Sequence, residues 1–306
     1  MAPNAPIEAL VTVKQTPELG PDTYVNVNPM TSQQGVRSVF GGAVVGLSVA
    51  AAFMTLPPEF SVHSLQSTFI RAVKPMEVVH FHVERTSDGR SFASRVVHAT
   101  QGAGDACVHI STVCFQRNDL PVGNVLDYAV AMPDVNSCLP DDIPREKLQE
   151  AMTASITRDV PLLQLRADEE PFDWRPFDNT FTDQPTHYRQ RSFVRSPTPL
   201  PDNMALHQNA LAYLSDTYML GAALNASPSM VGRKLQNVAM ATSLNHTLWL
   251  HEPTAKVDEW MLGERVTSWG SNGRVLIHQR FWNVRSGRLV MSGTQEGLIR
   301  LKNAKL

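Results

Sequence analysis

The chain has 306 residues, 42% of them apolar and 18% charged, with a formal net charge of −2. That length suggests about two domains with substantial cores, and the lack of a basic arm removes the main driver of sequence-independent nucleic-acid binding. Cys107, Cys114 and Cys138 form no CxxC pair and are odd in number, so neither a disulfide framework nor a zinc site is expected.

The first strong signal is an apolar run over 39–58 with no ionisable side chain. It is nearly long enough to span a bilayer, but Gly41, Gly42, Gly46, Ser48 and Thr55 suit a helix packed closely inside protein. A buried helix over 39–56 is therefore expected, ending at the Pro57-Pro58 turn. His63 opens a strand. A second strand over 78–83 has Val79, Phe81 and Val83 alternating with polar residues. After the turn Ser87-Asp88-Gly89-Arg90, two more strands over 92–99 and 106–116 are joined by a Gly-rich turn.

The texture then changes. Proline and acidic residues punctuate 117–187, and only 145–157 has a helical pattern, so 118–184 is expected to be a connector laid over the surface. The plan then repeats. A helix is expected over 209–224, and His246 opens a strand. Ser271-Asn272-Gly273-Arg274 is a turn, and strands follow over 275–282 and 289–299. His63 and His246 stand 183 positions apart, and Arg90 and Arg274 stand 184 apart, which is the register of an internal duplication. One long helix followed by antiparallel strands, twice, is an α+β pattern. The expectation is a tandem (double) hotdog, each repeat a sheet wrapped around a long apolar helix. The repeats would span 20–117 and 185–306.

The second helical run carries one ionisable group, Asp216. A carboxylate within an apolar run is costly unless it is paired, hydrogen-bonded or near water. Either it caps a helix or it is kept for chemistry. Ser243 and Gln295 are candidate partners on strands expected to face this helix, with Thr242 an alternative to Ser243. His63 and His246 open equivalent strands, so both are assigned to structural hydrogen bonding. The sequence contains no GxSxG, no HExxH and no GDxNPxH-like string.

Several segments resemble the acyl-CoA thioesterase II family: 37–46, His63 to Phe69, Asp88-Gly89-Arg90-Ser91-Phe92 with Arg95, Leu214-Ser215-Asp216, 243–251 and Gln295-Glu296-Gly297. The resemblance implies hydrolysis of acyl-CoA to free acid and coenzyme A, with coenzyme A as part of the substrate and no metal or other cofactor. It assigns Asp216 as general base or water-orienting carboxylate and Ser243 and Gln295 as holders of the water, so that the second repeat supplies the site. Backbone N–H groups at Gly41-Gly42 are the candidate oxyanion donors. Gln66 departs from the family's second His and Asn245 from its usual Asp, which bears on substrate range. An acyl-transfer or cyclising enzyme of the same fold is the alternative. The chain ends in Ala304-Lys305-Leu306, a variant of the Ser-Lys-Leu address read by the peroxisomal import receptor. Family resemblance also implies further pairing into a dimer of double hotdogs.

Overall fold

The computed structural model describes residues 5–32, 38–102, 104–121, 123–143, 171–180, 183–232 and 235–302. The first half contains α1 (Pro6–Leu10), β1 (Val13–Gln15), β2 (Thr23–Asn26), α2 (Gly41–Phe53), β3 (Phe60–Phe69), β4 (Val79–Asp88), β5 (Phe92–Gln101) and β6 (Ala106–Arg117). The second contains β7 (Asp173–Thr180), β8 (Arg189–Arg195), α3 (Met204–Asp216), α4 (Met219–Asn225), α5 (Pro228–Val231), β9 (Val238–Leu250), β10 (Met261–Ser271), β11 (Arg274–Asn283) and β12 (Leu289–Leu301).

Among the described residues twelve strands join one sheet in the order β1-β2-β4-β5-β6-β3-β9-β12-β11-β10-β8-β7. Read inward from either end, the two halves follow the same plan. They meet where β3 pairs antiparallel with β9, and Leu65 lies opposite Leu248 at that seam. Those two leucines are also 183 positions apart, so the pseudo-two-fold axis passes through this pair. This is the tandem hotdog expected from the duplication.

Each repeat wraps its sheet around one helix. In α2 every residue from 42 to 52 is buried. A helix enclosed on all sides has no use for a polar stripe, which explains its uniformly apolar, small-residue sequence. Small residues also let α2 and α3 cross at close range. A β-carbon on Gly46 would come 3.1 Å from Asn209 O, and one on Gly42 would come 2.5 Å from Tyr213 O. The two helices therefore run antiparallel, and the C-terminal end of α3 lies beside the N-terminal end of α2.

The structure departs from the expected boundaries in three places. The N-terminal repeat begins before residue 20, because β1 pairs with β2 on the edge of the sheet. The connector is not wholly a surface loop: β7 lies within 118–184 and pairs with β8, with Phe172 and Trp174 buried. Pro176 hid this strand, since proline argues against a strand unless it lies at a sheet edge, which is where β7 runs. The expected helix over 209–224 starts earlier, capped by Asn203, whose side chain accepts from the Leu206 N–H at 3.2 Å. It then breaks after Asp216, because Tyr218 takes a left-handed conformation (φ 59°) that no right-handed helix can continue through. The helical stretch expected over 145–157 and the terminal tripeptide lie outside the described residues. Among the described residues no helix is long and apolar enough to cross a membrane.

Candidate active site

Asp216 is the last residue of α3, not a mid-helix residue as its run of apolar neighbours suggested. The break at Thr217 and Tyr218 holds it at the end of the helix, where it stays buried (6% exposed). The first turn of α2 faces it: a β-carbon on Gly41 would lie 2.8 Å from Asp216 Oδ2. The second repeat therefore supplies the carboxylate and the first repeat supplies the helix N-terminus opposite it. The sequence marks Gly41-Gly42 as a candidate donor pair, but its closeness to Asp216 depends on how the two helices cross, which no sequence pattern displays.

Burial raises the carboxyl pKa of Asp216 above its ordinary value. His246, the Gln295 side chain, the Gly42 backbone N–H and Arg265 all pull the other way, and burial prevails. Oδ1 accepts no hydrogen bond of good geometry from the described residues. Arg265, on β10, is itself buried. Its Nε donates to Gln279 Oε1 at 3.2 Å, and its guanidinium lies over the Trp174 ring, 5.0 Å from the centroid. Burial pushes its pKa down to about 10, so it remains a cation at neutral pH and favours the ionised form of Asp216.

Ser243 and Gln295 meet on the neighbouring strands. Gln295 Nε2 donates to Ser243 Oγ at 2.7 Å. His246 Nδ1 and Gln295 Oε1 are also 2.7 Å apart, and His246 Nε2 lies 2.8 Å from Ser215 Oγ. Regular alternation would put Ser243 and His246, three residues apart, on opposite faces of β9. A bulge prevents this: Asn245 pairs with Glu296 and Ser243 with Gly297, which leaves Leu244 without a partner. The extra residue turns Ser243 back toward the helices. Thr242 is exposed, and its hydroxyl reaches the adjacent Ser243 carbonyl at 3.5 Å, so it is Ser243 that the structure brings to Gln295.

Two departures from the family pattern have structural partners or places. Asn245 Nδ2 donates to Glu296 Oε2 at 2.7 Å, beside the site but on the opposite face from Gln295. Gln66 is exposed on β3. The two histidines also part company. His246 is fully buried against Gln295. His63 is the unpaired bulge residue of β3, its ring edge-on to Phe92 at 5.7 Å.

Known families match both halves. The acyl-CoA thioesterase N-terminal domain matches residues 28–116, and the acyl-CoA thioesterase C-terminal domain matches residues 140–299. The chain belongs to the acyl-CoA thioesterase II family. The enzyme is 32% identical to mouse acyl-coenzyme A thioesterase 8 over 87% of its own length and 81% of the relative's. It is 23% identical to the yeast (Saccharomyces cerevisiae) peroxisomal acyl-coenzyme A thioester hydrolase 1, over 92% and 91%. An acyl-CoA thioesterase II from Mycobacterium marinum superposes with a TM-score of 0.74 at 28% identity, covering 97% of this chain and 99% of that one. The enzyme is thus an acyl-CoA thioesterase. Among the described residues no group of three His, Cys, Asp or Glu side chains could hold a metal ion.

Proposed function

We propose that the enzyme hydrolyses acyl-CoA with a water held by Asp216, Gln295 and Ser243. The observation that carries this reading is the free Oδ1 of a buried carboxylate beside a Gln–Ser pair fixed by hydrogen bonds. Burial raises the basicity of Asp216 toward the operating pH, where a general base works best. The water's oxygen attacks the thioester carbonyl carbon as its proton passes to Asp216. The oxyanion that forms meets the backbone at the Gly41-Gly42 start of α2, where the Gly42 N–H already faces Asp216. Collapse breaks the C–S bond, and the coenzyme A thiolate recovers the proton from Asp216.

The test is coenzyme A release from butyryl-, decanoyl-, palmitoyl- and benzoyl-CoA by wild type and by Asp216→Ala. The variant should fold and lose at least about a hundredfold in kcat, the usual scale of general-base assistance. Undiminished turnover by the variant would remove Asp216 from the chemistry. Acyl product found on an added alcohol or amine in place of free acid would move the reading to acyl transfer.

Location follows the terminal tripeptide Ala304-Lys305-Leu306 and the yeast relative's peroxisomal name. A tagged chain should enter peroxisomes and lose that import, but not activity, when the tripeptide is deleted. Import that survives the deletion would sink the assignment.

A further inference from the structure

A relay of buried side chains runs behind the proposed water site. Ser215 sits one residue before Asp216 on α3, and its Oγ lies 2.8 Å from His246 Nε2. His246 Nδ1 lies 2.7 Å from Gln295 Oε1, and Gln295 Nε2 lies 2.7 Å from Ser243 Oγ. Ser215 and His246 are fully buried and Gln295 is 1% exposed, so no bulk water competes for these partners.

Each link has a direction. A Gln amide oxygen only accepts, so the proton on this side of His246 must be on Nδ1. Burial favours the neutral imidazole, which leaves Nε2 bare to accept the Ser215 hydroxyl proton. That hydroxyl has one proton, for which Ala212 O, also 2.8 Å away, competes; only with the proton on the Nε2 side is the neutral Nδ1–H imidazole satisfied at both nitrogens. With Oε1 occupied by His246, the two N–H groups of the Gln295 amide must point the other way, toward Ser243 and Asp216. Rotating the amide by half a turn would set an NH2 group against the imidazole N–H and aim a carbonyl at the carboxylate. Both contacts would be repulsive.

We infer that His246 is the positioning residue that fixes the Gln295 amide in its working orientation, through an Nδ1–H bond to Oε1 and with Ser215 holding its tautomer. It touches neither water nor thioester. This proposal rests on the hydrolytic reading above and deepens it.

Two substitutions separate this role from simple packing. An Asn side chain carries an amide N–H at about the place of Nδ1, whereas a Gln side chain reaches the place of Nε2 and presents nothing to Gln295 Oε1. Both are polar and fit a buried hydrogen-bonding position. With the best substrate of the acyl-CoA panel, His246→Asn should keep kcat within about tenfold of wild type. His246→Gln should lose about a hundredfold in kcat with KM changed by no more than about threefold, the scale expected of a misaligned but intact site. In a Gln295→Ala background the further change His246→Gln should alter kcat by less than about threefold, because the residue it acts through is gone. Equal activity of the Asn and Gln variants would overturn the proposal. So would a full additional loss on the Gln295→Ala background. A wild type silent on every acyl-CoA would instead overturn the hydrolytic reading beneath it.

Discussion

The two ends of the α2–α3 pair are related by the same pseudo-two-fold axis and hold opposite contents. Counted outward from the Gly46–Asn209 crossing, Asp216 and Phe53 occupy matching places, each seven residues on. Counted back from the Leu65–Leu248 pair, Ser243 and Phe60 match. Ser243 pairs with Gly297 and Phe60 with Arg117, so Gln295 and Phe115, each two residues earlier, match as well. Three polar groups at one end correspond to three phenylalanines at the other. There Phe53 and Phe115 meet edge to face, with centroids 5.0 Å apart. The helix ends differ in the same way. At the apolar end Arg95 closes off α2, its Nε donating to Thr55 Oγ1 at 2.7 Å and its Nη2 pairing with Asp88 at 2.5 Å. At the polar end Gln279, in the place matching Arg95, donates from Nε2 to Ser215 O at 2.5 Å. The duplication thus yields one end specialised for packing and one that keeps buried polar groups at a cost in stability.

The comparison can be broken most forcefully at Phe115. It is fully buried, and Phe115→Ala should cost about 3–5 kcal/mol, the usual loss for emptying a core aromatic site. A thermal melt should show a large fall in Tm, while kcat of the folded fraction stays within about twofold of wild type, as expected when only packing is lost. A variant that melts like wild type yet turns over slowly would mean that the apolar end takes part in catalysis.

A smaller effect separates the ends by pH. His109 packs against Phe69, the ring that also bounds Gly41 at the polar end, with centroids 5.1 Å apart. It is fully buried, its Nε2 has no hydrogen-bond partner among the described residues, and burial pushes its pKa down to about 3. In the unfolded chain the same group titrates near the ordinary value of about 6.5, so between these limits the unfolded state binds more protons. Stability is therefore fully present above the ordinary value and is lost as pH falls toward 3. His207 and His246 are depressed by burial too and act in the same sense. At pH 5 the His109 contribution should amount to about 2 kcal/mol. Melts between neutral pH and pH 5 should show a steeper decline for wild type than for His109→Leu. Parallel curves would mean that His109 titrates normally or lies open to water in the native state.

The sequence made part of this visible. The duplication could be read because turns and strand starts repeat at a constant offset, and α2 because a helix enclosed by sheet must be apolar all round. Asp216, Ser243 and Gln295 could be picked out as polar exceptions in apolar surroundings. Their assembly could not, since the bulge at Leu244 and the left-handed Tyr218 that ends α3 leave no periodic trace. The opposing phenylalanines were hidden for the opposite reason: apolar residues in apolar strands do not stand out until the axis pairs them with the site.

The finest test of the comparison lies at the starts of the two helices. Gly41 and Met204 occupy matching places, each five residues before the crossing. A methyl group on Gly41 would come 2.8 Å from both Asp216 Oδ2 and Phe69 Cε1. One of the two must move by several tenths of an ångström, and the carboxylate at a helix end yields more readily than a ring packed in the sheet. Since a displacement of about 1 Å can cost a hundredfold in an oriented reaction, Gly41→Ala should lower kcat by about tenfold. Its Tm should change little, because the helix gains an alanine in exchange for the strain. Met204 is partly exposed and accepts a weak contact from Asn118 Nδ2 at 3.5 Å. Met204→Ala should leave kcat unaltered and shift stability by no more than about 0.5 kcal/mol, as for other surface changes. If the two substitutions slowed turnover equally, the division into a reacting end and a packing end would be wrong. If only Gly41→Ala did so, the start of α2 in the first repeat would be part of a site whose carboxylate comes from the second.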